Sequence, residues 1–336
     1  MKTFPFNQFK TALFCGLLLI IQSCKPVVPG SWKNENISSG KRSDFHQLNA
    51  QALQYLKANN PKRLRALLSK ELLVDNNERQ VELISNRLND NAYDLLDEYY
   101  VVHKYKDTDT IHSVGGSINR YDVLYPYIAK EMYFAFFAPK KSNNKYMLSL
   151  IYSKFDYGWK ITKLDLEPYT INGKTAPQLF ALAKEQYAKQ QVQAAQNNVS
   201  LAVTCFKPCV YWQYPDEVDA GKFYTRVHAE VNQTYRYPLV LKQIATGPMI
   251  LRVYNKNQDD GTYPMVYYMT HFELKDTTDI KKENAQIRNV VSKIMPGLGE
   301  NNKYILYSAF NKQPNGYEAV DHFDMTEEVN TAQKQQ

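Results

Sequence analysis

The sequence predicts an α+β fold, and three observations carry that prediction. Between residues 44 and 88 apolar side chains recur at three- and four-residue steps, the spacing of helices with one buried face. From 98 to 167 the chain turns to aromatic and β-branched residues and contains a hairpin. The C-terminal half is again β-rich, around one late helix. Helices segregated from an antiparallel meander are the mark of α+β rather than alternating α/β architecture.

Taken in order, Phe45, Leu48, Ala52, Leu53 and Leu56 share a helical face, with Ser43 or Asp44 placed to cap it. Asn60-Pro61 ends that helix and opens a second, because Asn caps well and Pro suits the first helical position. Leu64, Leu67, Leu68 and Leu72 form its stripe. A third helix begins near Asn77, with Val81, Ile84 and Leu88 on one side. Strands follow over 98–105 and 131–138. The clearest hairpin runs from Lys145 to Glu167, its arms flanking Asp156-Tyr157-Gly158, where glycine can take a positive φ. Three helices and a meander whose last arm opens Gly158-Trp159-Lys160-Ile161 resemble the NTF2-like superfamily. The resemblance spans about residues 44–173 and implies a cone-shaped α+β domain.

Thr175-Ala176-Pro177-Gln178 reads as a capping box opening a helix to about Ala195. Two readings of 174–198 stand: a rod between domains, or a helix lying across the meander. In the second region, 199–325, Phe223, Thr225, Val227, Ala229 and Val231 alternate with polar residues, the period of a half-buried strand. Further strands are expected over 238–244, 249–255, 264–274, 303–310 and 317–324, with a helix over 280–295 stopped by Pro296-Gly297. Residues 326–336 read as a frayed polar tail.

The N-terminus carries the most specific pattern. Lys2 and Lys10 precede the apolar run Ala12 to Ile21, ten residues where a membrane-spanning helix needs about 20, so the run reads as an export signal. Ile21-Gln22-Ser23-Cys24 resembles a bacterial lipobox, with an aliphatic residue three places before the cysteine and a small one directly before it. The resemblance implies cleavage between Ser23 and Cys24, removal of residues 1–23, and lipidation of Cys24. It departs at Gln22, where a small residue is commoner. Residues 24–43, rich in Pro, Gly, Ser and Asn, read as a lipidated tether spanning about 25 Å. Lys25 is not the aspartate of inner-membrane retention, and the following residues lack the acidic pair of surface-exported Bacteroidetes lipoproteins. The resemblance therefore implies an outer-membrane protein facing the periplasm, whose first partner is the lipid bilayer.

The 336 residues less the first 23 leave 313, room for about two domains. Losing Lys2 and Lys10 takes the formal charge from +7 to +5, and no run of five basic residues exists, which argues against nucleic acid as a partner. Of four cysteines, Cys205 and Cys209 remain in the body, and an oxidising compartment favours a local disulfide across the turn at Pro208.

Catalytic signatures are missing. The six histidines are dispersed, no G-x-S-x-G, H-E-x-x-H or phosphate loop occurs, and no cofactor is implied. His322 with Asp324, and His228 with Glu230 or Arg226, share strand faces in this reading. Gly115-Gly116 is a lone loop pair. Asp107-Thr108-Asp109 and Asp259-Asp260-Gly261 are fragments of calcium loops that never reach the required glutamate. Tyr146, Leu148, Leu150 and Tyr152, with Trp159 across the turn, have two readings: a ligand pocket for an apolar or sugar-like molecule, or core packed against the helices. The second is favoured, because a helix-covered sheet must bury such a face. The sequence thus points to a non-enzymatic envelope lipoprotein binding a protein, glycan or small ligand. The alternative is a small-molecule hydrolase or isomerase using Asp94, Asp97 or His103 in an NTF2-like pocket.

Overall fold

A computed structural model describes residues 28–74, 78–113 and 117–329. Its α+β architecture rests on two large sheets. The first is antiparallel and curled, in the order β1 (Gly30–Lys33), β2 (Tyr93–Val102), β5 (Glu131–Pro139), β6 (Lys145–Phe155), β7 (Gly158–Ile171), β8 (Lys174–Thr175). Bulges at Leu95/Asp97 and Ile151/Tyr152 assist the curl. Between β2 and β5 the hairpin β3 (Asp109–His112) and β4 (Asp122–Tyr125) joins β9 (Trp212–Gln213) in a small third sheet.

Both faces of the first sheet are covered. On one lie α1 (Ser39–Lys57), α2 (Pro61–Arg65), α3 (Lys70–Val74) and α4 (Glu78–Asp90), against Tyr100, Tyr133, Leu148, Leu150 and Tyr152. Phe45 stacks on Tyr133 with ring centroids 4.0 Å apart. Asn60 caps α2 as expected, accepting from the Arg63 N–H at 3.1 Å. The other face presents Tyr99, Val101, Phe134, Phe136, Met147 and Ile151 to the C-terminal half, and a single core runs from there to Tyr307. Central β5 is accordingly buried along its whole length.

The 174–198 stretch folds as two helices, α5 (Ala176–Ala188), opened by the Thr175 capping box, and α6 (Val192–Cys205). After β9 comes α7 (Glu217–Tyr235), where a strand was expected. Residues 223, 227, 231 and 235 satisfy both period two and a four-residue step. The helical register also takes in Ala220, and all five are buried. The second sheet follows in the order β10 (Leu239–Val240), β11 (Met249–Gln258), β12 (Gly261–Met269), β13 (Tyr304–Phe310), β14 (His322–Glu328). It is mixed, because α8 (Thr277–Ile294) carries the chain from β12 to a parallel β13.

Other boundaries move: the second expected helix breaks into α2 and α3 where Leu67 and Ser69 bond the Ile161 backbone, and the strands expected over 98–105, 264–274 and 317–324 lie at Tyr93–Val102, Gly261–Met269 and His322–Glu328. The expected tether is folded from Gly30, since β1 pairs with the end of β2 and α1 starts at Ser39. The expected strand at 238–244 shrinks to two residues. Residues 326–328 belong to β14 rather than to a frayed tail, because they pair with Tyr304 to Leu306.

An asparagine cluster joins the two sheets. Asn172 donates from Nδ2 to the Thr262 carbonyl at 2.6 Å and accepts the Thr262 N–H at 2.7 Å, while Asn144 reaches Thr262 Oγ1 at 2.9 Å. A Cβ on Gly261 would stand 2.9 Å from Asn172 Oδ1 and 2.8 Å from the Tyr263 hydroxyl, so a larger residue there would push the Asn172 amide off Thr262.

Candidate functional site

Ser23 and Cys24 lie outside the described residues, as do Gly115 and Gly116. Of the expected pocket residues, Tyr152 is 2 % exposed in the helix-covered core, and Trp159 packs edge-on against Phe45 at 5.1 Å. Tyr146 stands apart from both, beneath the Arg87 guanidinium at 4.6 Å. The three therefore form no common pocket, and the core reading holds for Tyr152.

The acid–base candidates are also dispersed. Asp94 pairs with Lys140 at 3.1 Å and Asp97 with Lys33 at 2.9 Å. His103 is buried between the edges of Tyr125 and Tyr127; burial pushes its pKa down, against the pull of Asp109. His228 and Glu230, now on a helix, diverge: Glu230 accepts from the Tyr187 hydroxyl at 2.7 Å. His322 does meet Asp324, at 3.6 Å.

Cys205 and Cys209 are free buried thiols rather than the expected disulfide. Cys205 closes α6 facing the core, while the Cys209 sulfur is turned to Asp165 Oδ2 at 3.8 Å. Burial pushes both thiols up to about 12, so they stay protonated. Beside them Asp165 and Glu167 edge a groove of about 610 Å³, with burial and then Asp165 pushing Glu167 up. Asp165 itself is taken up by Lys163 at 3.7 Å.

A cleft of about 670 Å³ lies where the two sheets meet, at the Lys145 end of β6 and between α6, α7 and β11. Tyr146 and Thr170 come from the first sheet. The helical register of α7 places Tyr224, His228 and Asn232 four residues apart on one face, and α6 supplies Asn197, Ser200 and Thr204. From β11 come Arg252, Tyr254, Asn255 and Asn257.

Two features set this cleft apart. None of its lining residues is a carboxylate, so it offers amides, hydroxyls and aromatic rings, with Arg252 its one fixed charge. Its deepest amide is also incompletely bonded. Tyr237 donates to Gln193 Oε1 at 2.9 Å, and Gln193 Nε2 donates to Asn197 Oδ1 at 2.9 Å. That relay orients the Asn197 amide and leaves Nδ2 as a buried donor without a partner, in a side chain only 5 % exposed. Arg252 is stacked over Tyr254 and Tyr267, 4.7 Å from each centroid, and no carboxylate pairs with it among the described residues. His228 is held between the Gln196 and Asn232 amides at 2.8 and 3.1 Å. An adjoining open groove shares Asn144, Tyr146, Thr170 and Asn257 and carries the acids Asp90, Asp259 and Asp260.

Sequence reasoning missed this site because its residues come from β6, β7, α6, α7 and β11, and α7 was expected as a strand. The four-residue step of Tyr224, His228 and Asn232 was the available signal. Among the described residues no group of His, Cys, Asp or Glu is arranged to hold a metal, and no helix is long and apolar enough to cross a membrane. Comparison with family models, with curated proteins and with solved structures finds no match.

Proposed function

We propose that the chain is a lipid-anchored envelope protein acting as a non-catalytic binding module. Its ligand is hydroxyl-rich and carries an acid group, of the acidic-saccharide class, held in the cleft between the sheets. The observation that carries this reading is the orphaned Asn197 Nδ2. A buried donor without a partner costs about 1–3 kcal/mol, and an outward turn of the Asn197 amide, whose Nδ2 is closed off at rest, lets a ligand oxygen accept from it and recover that loss. The unpaired Arg252, stacked at the cleft's edge on the β11 face opposite Asn255, supplies the charge for an acid group that projects past that strand, since guanidinium binds carboxylate in a two-pronged fashion. Tyrosine rings offer apolar faces to sugar rings, and amides and hydroxyls serve their hydroxyls.

The absence of a carboxylate from the lining sets this cleft apart from glycoside-hydrolase sites, whose chemistry uses a pair of them. The anchor rests on the lipobox at residues 21–24. Two measurements test the proposal. Calorimetric titration with trigalacturonate and with its uncharged trimethyl ester should show the acid binding at least tenfold tighter; equal affinities, or none, would refute the ligand class. Cys24→Ala should release the protein from the membrane fraction, and continued acylation of that variant would refute the anchor.

A further inference from the structure

We infer that the end of the first sheet where the chain enters is a membrane-contact rim, and that it rests on the bilayer while the cleft stands at the opposite end. This rests on the lipid-anchor reading. Strand register defines the rim: Gly30 pairs with Val102, Val102 with Glu131, Lys154 with Trp159 and Phe155 with Gly158, so four connections emerge together. Five residues separate Cys24 from Gly30, a contour of roughly 21 Å at full extension. An acylated Cys24 therefore keeps this end of the sheet close to the headgroups.

The chemistry of the rim suits that position. Tyr105, on the loop after β2, is 70 % exposed, with Lys104 above its ring at 5.1 Å. Tyr157, in the turn after β6, stacks on Phe155 at 5.1 Å, with Lys70 and Lys160 over it at 5.5 and 6.0 Å. Lys106 and Lys130 are exposed and enter no ion pair among the described residues. These five lysines outnumber the acids Asp107, Asp109 and Asp156, and Glu131 of the same rim is already paired with Lys41 and Lys154. Amphipathic rings ringed by lysine match the boundary between acyl chains and anionic headgroups. From Phe155 back to Lys145, the eleven residues of β6 span about 35 Å, which sets the cleft well off the membrane.

The test couples the chain from Cys24 onward to a maleimide lipid, which bypasses cellular lipidation; Cys205 and Cys209 are buried away from the reagent. The vesicles are phosphatidylethanolamine with one quarter phosphatidylglycerol, and amide hydrogen exchange is compared with the free protein. Exchange over 104–108 and 156–158 should slow at least fivefold, with the cleft segments unchanged. Lys104→Glu with Lys106→Glu should remove most of that slowing. Unchanged exchange at the rim, or slowing at the cleft end instead, would overturn the inference even if Cys24 is the site of acylation in the cell. A membrane-free Cys24→Ala protein with a rim that is protected when coupled would instead sink only the cellular anchor.

Discussion

Two of the polar constellations set into this body differ in how fully their charges are satisfied. Beneath α1, the buried carboxylate of Glu98 accepts from Arg42 at 2.5 Å, from Tyr133 at 2.7 Å and contacts His46 at 3.1 Å. Glu131 takes Lys154 at 2.8 Å, Lys41 at 3.1 Å and the Tyr100 hydroxyl at 2.5 Å. In the cleft, by contrast, a buried amide keeps a free donor and an arginine has no counter-charge. Charge and burial alone would have favoured the first cluster as a site. Pairing of both carboxylates argues that the first is structural, its own orphan being the Asn49 Oδ1 acceptor beside Tyr133, whereas the second leaves a donor and a cation open to the acid and hydroxyl oxygens of a ligand.

The sharpest way to break the contrast is to remove an acceptor from the saturated cluster. Glu98→Ala strands Arg42, His46 and Tyr133 together, and should cost about 3–5 kcal/mol in a urea melt. A loss below about 1 kcal/mol would show that the network does not hold α1 to the sheet.

Acid should act on the same cluster. Burial alone would raise the Glu131 pKa, but its hydrogen bonds from Lys154, Tyr100 and Lys41 win and hold it at about 2, against 4.5 in the unfolded chain. Because the folded pKa is depressed, this stabilisation is complete above pH 4.5 and is lost as pH falls towards 2. Its size is on the order of 3 kcal/mol. Glu131→Gln should be less stable at pH 7 and should flatten the stability profile between pH 4.5 and 2, as read by denaturant melts across that range.

A smaller effect is expected at the joint between the sheets. Asn172→Ala removes two hydrogen bonds to Thr262 and places alanine at a φ of 51°, for a loss of about 2 kcal/mol by thermal or urea melt. An unaffected melt would mean that the asparagine cluster does not couple the halves.

These elements were unequally readable from the chain. Local signals held: the Asn60-Pro61 cap, the Thr175 capping box and the hairpin turn at Gly158 are each set by residues within a few positions of one another. The α7 reading failed because Phe223, Val227, Val231 and Tyr235 suit a strand and a helix equally, and only the buried Ala220 and the exposed Thr225 and Ala229 separate the two. The early strand β1 was hidden in Gly30-Ser31-Trp32-Lys33, whose strand character comes from β2 beside it rather than from its own composition. Of the cleft, only the four-residue step of Tyr224, His228 and Asn232 was readable. Its defining property, an amide oriented by Gln193 and left short of one partner, exists only when α6 packs against Tyr237 and β11.

The smallest stability effect should fall on the residue most important for binding. Asn197→Leu keeps the side-chain volume, removes the orphaned donor and leaves Gln193 Nε2 its second acceptor, Gln196 Oε1 at 3.2 Å. Its melt should therefore stay within about 1 kcal/mol of the wild type. Calorimetric titration of this variant with trigalacturonate tests the central claim most directly. Affinity at least tenfold weaker, with the melt preserved, is the predicted result. Affinity equal to that of the wild-type protein would contradict the account, because the incompleteness of the cleft would then have nothing to do with a ligand.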